Sequence, residues 1–248
     1  SSGIGEAVAR TIAAAGGRVV INARRAQRLQ KLADDINKDA GQDRCATVAG
    51  DAADETVVNL LLETARQRFG PPNLVVVNAG RGLSGSLLSS DAAQWEDLMR
   101  TNVAAAGLLM RLAAKAMIEH GPDPDTGDDW LTHPRDIVVL GSTVGKHISP
   151  FSSFYGASKF AVGSWAEALR REVGPKGIRV TLVAPGVVKS EFQQVAGYDP
   201  NTFGDFMQRI GPVPEPQHVA DAIAYTCSLP ANIHINDFVI RATRQDYP

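Results

Sequence analysis

The chain begins SSGIGEAVAR, Ser1 to Arg10, and the reading of this stretch decides the fold. Ser2, Gly3, Ile4 and Gly5 form a glycine turn that runs straight into a helical pattern over residues 5–15, which stops at Gly16-Gly17. A turn of this kind lets the backbone approach a ligand closely and aims unpaired helical N–H groups at an anion, a phosphate above all. Such a turn normally follows a β-strand, and here no strand stands in front of it. In isolation the two glycines read equally well as a plain turn.

Outward from that turn, short β-branched runs alternate with helical periods. RVVINA (18–23) reads as a strand, AQRLQKLADDINKDAG (26–41) as an amphipathic helix ending in glycine, and RCATVAG as a strand. ETVVNLLLETARQRFG is a helix, NLVVVNAG (73–80) a buried strand, and residues 91–119 carry a long helical pattern. The strand RDIVVLGS (135–142), a helix over about 154–173, the strand IRVTLVAPG (178–186), a helix from Pro216 and the strand DFVIRA (237–242) complete the chain. Strict alternation predicts an α/β fold, a doubly wound parallel sheet with helices on both faces. No linker or repeat divides it, so residues 1–248 are expected to form one domain. A doubly wound sheet carries its glycine turn after a central first strand. That strand, in roughly ten residues before Ser1, is therefore expected, because its neighbours would otherwise leave two rows of backbone groups unpaired.

The bulk properties narrow the classes of function. At 44% hydrophobic and 21% charged residues, the composition is that of a globular protein. A formal charge of -2 supplies no basic surplus, which argues against nucleic acid as a partner. The two cysteines, Cys45 and Cys227, form no motif and read as buried free thiols in a reducing compartment, giving a cytoplasmic expectation. No apolar run approaches the ~20 residues of a membrane span. The five histidines show no ligand spacing, so no metal site is expected.

Two stretches carry chemistry. In YGASK, Tyr155 and Lys159 stand four apart in a predicted helix and project from one face. An ammonium beside a phenol favours the phenolate by about 1–3 pK units, moving tyrosine from about 10 toward the range where it exchanges protons. The bland alternative is a half-buried tyrosine beside a solvated lysine. In VVLGSTVG, Ser142 ends a predicted strand, where doubly wound sheets place their ligands. Alone, it reads as a serine satisfying its own turn.

Together, SSGIG, NAG (78–80), TNV (101–103), GS (141–142), YGASK (155–159) and PGVVKS (185–190) occur in the order and spacing of the short-chain dehydrogenase/reductase family. The chain resembles its single-domain branch of about 250 residues over essentially its whole length. The resemblance implies a Rossmann fold with a parallel sheet of about seven strands, binding a nicotinamide dinucleotide with its pyrophosphate on the glycine turn. It makes Tyr155 the general acid/base, Lys159 the residue that holds the ribose and lowers the tyrosine pKa, and Ser142 the group that orients the substrate oxygen. Asn102 matches the helix asparagine that positions a water in the proton relay. Asn78, Ala79 and Gly80 line the cofactor crevice, and Asp51, followed by Ala52, meets the adenine edge. Pro185, Gly186, Val188 and Ser190 seat the nicotinamide carboxamide. The family's first turn glycine is absent, Val77 replaces an asparagine, and Ser190 replaces a threonine.

NAD-binding members of such folds carry a carboxylate near the end of the second strand, where this chain has Ala23 followed by Arg24 and Arg25. Alanine leaves room for a 2′-phosphate and a guanidinium can grip it, which points to NADP(H), with Arg24 ahead of Arg25. The expected reaction is hydride transfer between NADP(H) and a carbonyl or secondary alcohol through a Ser-Tyr-Lys-Asn relay. The alternatives are an NAD-dependent dehydrogenase of the same family, a non-catalytic dinucleotide sensor, and a structural subunit. Residues 187–214 match the family's substrate lid. A hydroxy or oxo acid could meet Lys146, His147, Lys189 or Arg209 there, or these are ordinary loop charges. The insertion HGPDPDTGDDWLTHP (120–134) reads either as inert or as a subunit contact. The resemblance also implies a homotetramer or homodimer through the helices around 91–119 and 154–173, acting on a small molecule and on neither nucleic acid nor a membrane.

Overall fold

The computed structural model describes residues 2–247; Ser1 and Pro248 lie outside it, and the first described strand follows α1. Helix α1 (Gly3–Ala14) leads to β1 (Val19–Ala23), α2 (Ala26–Ala40) and β2 (Cys45–Ala49). Then come α3 (Glu55–Phe69), β3 (Leu74–Val77), α4 (Trp95–Met99), α5 (Ala105–His120) and β4 (Arg135–Leu140). The chain continues through α6 (Ser153–Val173), β5 (Ile178–Pro185), α7 (Phe192–Ala196), α8 (Pro200–Ile210), α9 (Pro216–Ser228) and β6 (Asp237–Ile240). Local chemistry sets several ends. Asp54 caps α3 by accepting from the Thr56 N–H at 2.8 Å, and α2 stops where Gly41 takes a left-handed φ of 64°.

All strand pairs among the described residues are parallel, in two ladders: β1-β2, and β3-β4-β5-β6 in that order. The doubly wound α/β fold is thus present, with six described strands. β4 is buried along its whole length and its side chains alternate between the faces. Ile137 and Val139 pack with Met110, Ala113 and Met117 of α5 and Val162 of α6. Val138 and Leu140 pack with Ala7 and Val8 of α1 and Val219 and Ile223 of α9. β1 and β3, in separate ladders, do not pair with each other.

The long pattern over 91–119 is not one uniform helix. Between α4 and α5, residues Arg100–Ala104 form a π-helical turn, one residue wider than α. The stretch 92–126 is long and apolar enough by composition to cross a membrane, which no continuous apolar run in the sequence brings out. Half of its most apolar window is buried against protein, which is the packing of a core helix. The insertion 120–134 folds into two 3-10 turns at the opposite end of the strands from the glycine turn. Lys176 reaches its Asp125 at 3.2 Å, and the buried Arg135 donates to the carbonyls of Met117 at 2.8 Å and Pro122 at 2.7 Å.

Candidate active site

The carboxyl ends of β1, β3, β4 and β5 open into one cleft of about 560 Å³. Ser142 stands at the end of β4 in extended backbone, and its hydroxyl accepts from the Val144 N–H at 3.4 Å. The tight turn that follows, Thr143–Gly145, lies directly on α6. A Cβ at Gly145 would stand 2.8 Å from that of Lys159 and 2.9 Å from the Lys159 backbone. Only glycine permits that approach, and it brings Ser142 within hydrogen-bond reach of the Tyr155 hydroxyl.

Tyr155 and Lys159 share one face of α6, as their spacing predicts, and both are buried. Their electrostatics differ from the sequence expectation. Burial raises the Tyr155 pKa above its ordinary value, and the Ser142 hydroxyl is the group that opposes the rise. Lys159 Nζ lies 5.9 Å from the centroid of the tyrosine ring and donates to the Leu140 carbonyl at 2.7 Å. Burial also lowers the lysine itself, to about 8. Both groups shift toward their neutral forms because removal from water penalises each charge. The apolar wall of Leu83, Val144, Phe154 and Phe192 around Tyr155 is the cause, and helical spacing gives no sign of it.

Asn102 occupies the π turn and is 1% exposed. Its Oδ1 accepts from the Arg81 N–H at 2.8 Å, and its Nδ2 donates to the Arg81 carbonyl at 2.8 Å and to Ser158 Oγ at 3.1 Å. The amide is therefore spent on holding the segment after Gly80, and only the backbone of Asn102 remains to position a water. Gly80 lies beneath: a Cβ there would come within 3.3 Å of Asn102 Oδ1 and 3.6 Å of Lys159 Nζ.

Of the remaining residues singled out in the sequence, Ser2, Gly3, Ile4, Arg24, Arg25, Asp51, Ala52, Asn78, Ala79, Pro185, Gly186, Val188 and Ser190 all line the cleft. Gly5 does not. It packs against Asn78, whose Nδ2 a Cβ there would meet at 2.7 Å. Asp51 is held by the Ala53 N–H at 3.0 Å and by Arg100 at 2.7 Å, which keep its carboxyl below the usual carboxylate range. Arg25 donates to Ser2 Oγ at 3.3 Å, whereas Arg24 makes no hydrogen bond or ion pair among the described residues.

None of the cations weighed for a substrate carboxylate lines the cleft. Lys146 pairs with Asp237 and Arg209 with Asp246, while His147 and Lys189 are exposed. The cleft has instead Arg81, which sequence reasoning passed over although it directly follows Gly80. Asp97 takes its Nη1 at 2.6 Å and Gln94 its Nη2, while its buried Nε has no partner. Tyr198, between α7 and α8, also faces the cleft, close enough to perturb Tyr155 and hydrogen-bonded to the buried Ser152.

Two features test the fit to a dinucleotide. No side chain caps α1, and its N-cap Ser2 and the following Gly3, at φ 62°, line the cleft with Ile4. Gly80 offers bare backbone where a Cβ would crowd Asn102 and Lys159. Both match a flat, phosphate-bearing ligand.

The family model for the short chain dehydrogenases matches residues 1–200, and the chain belongs to that family. It is 31% identical over 246 residues to sulfoacetaldehyde reductase 2 of Chromohalobacter salexigens, covering 99% of this chain and 92% of that one. The closed form of a serine dehydrogenase complexed with NADP+ superposes with a TM-score of 0.85 at 24% identity, over 99% of this chain and 93% of that one. A 3-ketoacyl-(acyl-carrier-protein) reductase from Brucella melitensis, complexed with NADH, gives 0.82 at 26% identity, covering 98% and 94%. The family's fold, a Rossmann-type doubly wound sheet, is the one found here.

Proposed function

We propose that the protein is an NADP(H)-dependent oxidoreductase that interconverts a carbonyl and a secondary or primary alcohol on a small substrate. The observation that carries this is the convergence of Ser142, Tyr155 and Lys159, from β4 and α6, on a cleft with Arg24 and Arg25 at its other end. The nicotinamide, when bound, supplies or accepts the hydride. A Tyr155 held neutral by burial is a proton donor at neutral pH, suited to the oxygen of a carbonyl being reduced. Ser142 donates to that same oxygen and fixes its position. Lys159, still largely protonated at pH 7 with a pKa of about 8, brings positive charge to the ribose side of the cleft. Asn102 keeps the Gly80-Arg81 segment in place and leaves its backbone for a relay water.

Cofactor preference follows from charge. The corner Ala23–Arg25 has no carboxylate to meet a ribose 2′-OH, and Arg24 is free to meet a 2′-phosphate. The name of the 31% identical relative makes a short anionic aldehyde, sulfoacetaldehyde, the first substrate to try, with Arg81 as the cation in the cleft.

We further take residues 1–248 as one domain in which 187–214 is the lid, and place the protein in the cytoplasm as a homotetramer or homodimer. Ile118 of α5 and Phe160 and Trp165 of α6, each more than two-fifths exposed, support association through those helices. Light scattering behind gel filtration tests the association. For the reaction, Tyr155→Phe should abolish NADPH-dependent reduction of a panel of short aldehydes and ketones while NADPH binding persists. Undiminished turnover in that variant would sink the mechanism.

A further inference from the structure

Glu191, the residue before α7, sends its carboxylate back across the mouth of the cleft. Arg28 Nη1 donates to its two oxygens at 3.3 and 3.2 Å, and Arg25 Nη2 stands 3.6 Å from Oε2. Arg25 also donates to Ser2 Oγ at 3.3 Å, in the glycine turn. Arg28 lies in the first turn of α2, three residues after its N-cap Arg25, and so stands next to the Ala23–Arg25 corner. Arg28 foremost, and then Arg25, hold the Glu191 carboxyl below the usual carboxylate range. These contacts form a strap from the start of the lid segment, over the arginine corner, to the turn beneath α1.

We propose that Glu191 tunes the dinucleotide selectivity of this protein: its carboxylate occupies Arg25 and Arg28, the guanidinium groups beside Arg24 whose charge a ribose 2′-phosphate held by Arg24 would also draw. The proposal rests on the NADP(H) reading above. A phosphate monoester carries up to two negative charges and three acceptor oxygens, so it can displace a single carboxylate from a pair of guanidinium groups. Glu191 and the phosphate cannot both sit on these arginines without like-charge repulsion. Arrival of the phosphate therefore frees Glu191 and the chain leading into α7, and its departure restores the strap. A dinucleotide with a free 2′-OH brings no competing anion and leaves the strap closed. Glu191 thereby taxes NADP(H) binding and spares NAD(H).

The sign of the effect separates this arrangement from a purely structural ion pair. Glu191→Gln keeps an acceptor for Arg28 and removes the charge. It should tighten NADPH and 2′,5′-ADP by about threefold to tenfold, a modest factor because the three side chains are each 52% exposed and screened by salt. NADH should change by less than about twofold, since it lacks the competing group. The experiment is a set of equilibrium titrations of wild type, Glu191→Gln and Arg24→Ala with NADPH, NADH and 2′,5′-ADP, followed by calorimetry. Weaker NADPH binding in Glu191→Gln, no change, or an equal change for all three ligands overturns the proposal. If wild type shows no preference for NADPH over NADH and Arg24→Ala alters neither, the cofactor reading fails and the strap's role fails with it. If wild type prefers NADPH, Arg24→Ala removes that preference and Glu191→Gln leaves it untouched, then only the role of Glu191 falls.

Discussion

The Nζ of Lys159 donates to the backbone carbonyl of Leu140 at 2.7 Å, so the ammonium is buried under the last residue of β4 with no carboxylate beside it among the described residues. Such a group serves a ligand at the expense of stability. A pKa lowered from 10.5 to about 8 corresponds to about 3 kcal/mol opposing folding at neutral pH.

Lys159→Met should therefore abolish turnover and stabilise the protein by about 1–3 kcal/mol at pH 7, the lower end reflecting loss of the Leu140 hydrogen bond. Below pH 8 the lysine is charged in both folded and unfolded states, and the full penalty applies. Between about 8 and 10.5 the folded state loses the proton first, so the wild type gains stability as pH rises through that window. The advantage of the methionine variant should shrink between pH 7 and pH 10 in urea unfolding. A constant advantage contradicts the assignment.

Ser142→Ala removes the hydroxyl that opposes the rise of the Tyr155 pKa and that, in the proposed mechanism, fixes the substrate oxygen. We expect kcat to fall about 100-fold or more, in line with loss of one donor from a site where charge develops. Dinucleotide affinity should hold, because the hydroxyl acts on the substrate side. Steady-state kinetics alongside cofactor titration separates the two, and loss of affinity with kcat preserved refutes it.

Asn102→Ala leaves the Arg81 N–H and carbonyl and the Ser158 hydroxyl without the amide that satisfies them. The expected cost is about 1–3 kcal/mol, with Tm lower by about 2–4 °C for each kcal/mol in a chain of this size. Asn102→Asp keeps the acceptor, loses both donors and buries a charge, so it should melt lower still. Equal melting temperatures for wild type and the alanine variant, read by scanning calorimetry, overturn this account.

At the other end of the sheet, Arg179 makes a two-pronged pair with Asp136 at 2.7 Å per contact and donates to the carbonyls of Cys227, Leu229, Pro230 and Ile233. Asp136→Asn strands the buried guanidinium and should cost about 3–5 kcal/mol. Because the site lies at the carboxyl ends of the strands, kcat at low temperature should be preserved while the urea midpoint drops. A variant with an unchanged midpoint and reduced kcat would reverse that assignment.

Much of this was legible in the chain. The runs NLVVVNAG and RDIVVLGS read as strands, the first as a buried one, and strict alternation of strands and helices pointed to the doubly wound class. YGASK placed Tyr155 and Lys159 on one face because four residues make about one helical turn. Less was legible wherever partners are distant in sequence. Lys146 and Arg209 looked available for a substrate anion until the fold set Asp237 and Asp246 against them. Gly5 was legible as part of a glycine turn, but its contact with Asn78, far along the chain, was not.

The sequence by itself determined the order of the elements and the identities of the groups at the carboxyl ends of the strands, because period and turn chemistry are local. Tertiary structure decided their charge states and partners. Burial pushed Tyr155 up and Lys159 down where spacing alone predicted a lowered tyrosine, and folding brought Glu191 onto Arg28 across 163 residues. Desolvation and long-range pairing depend on everything that surrounds a side chain, and that surrounding exists only once the chain has packed.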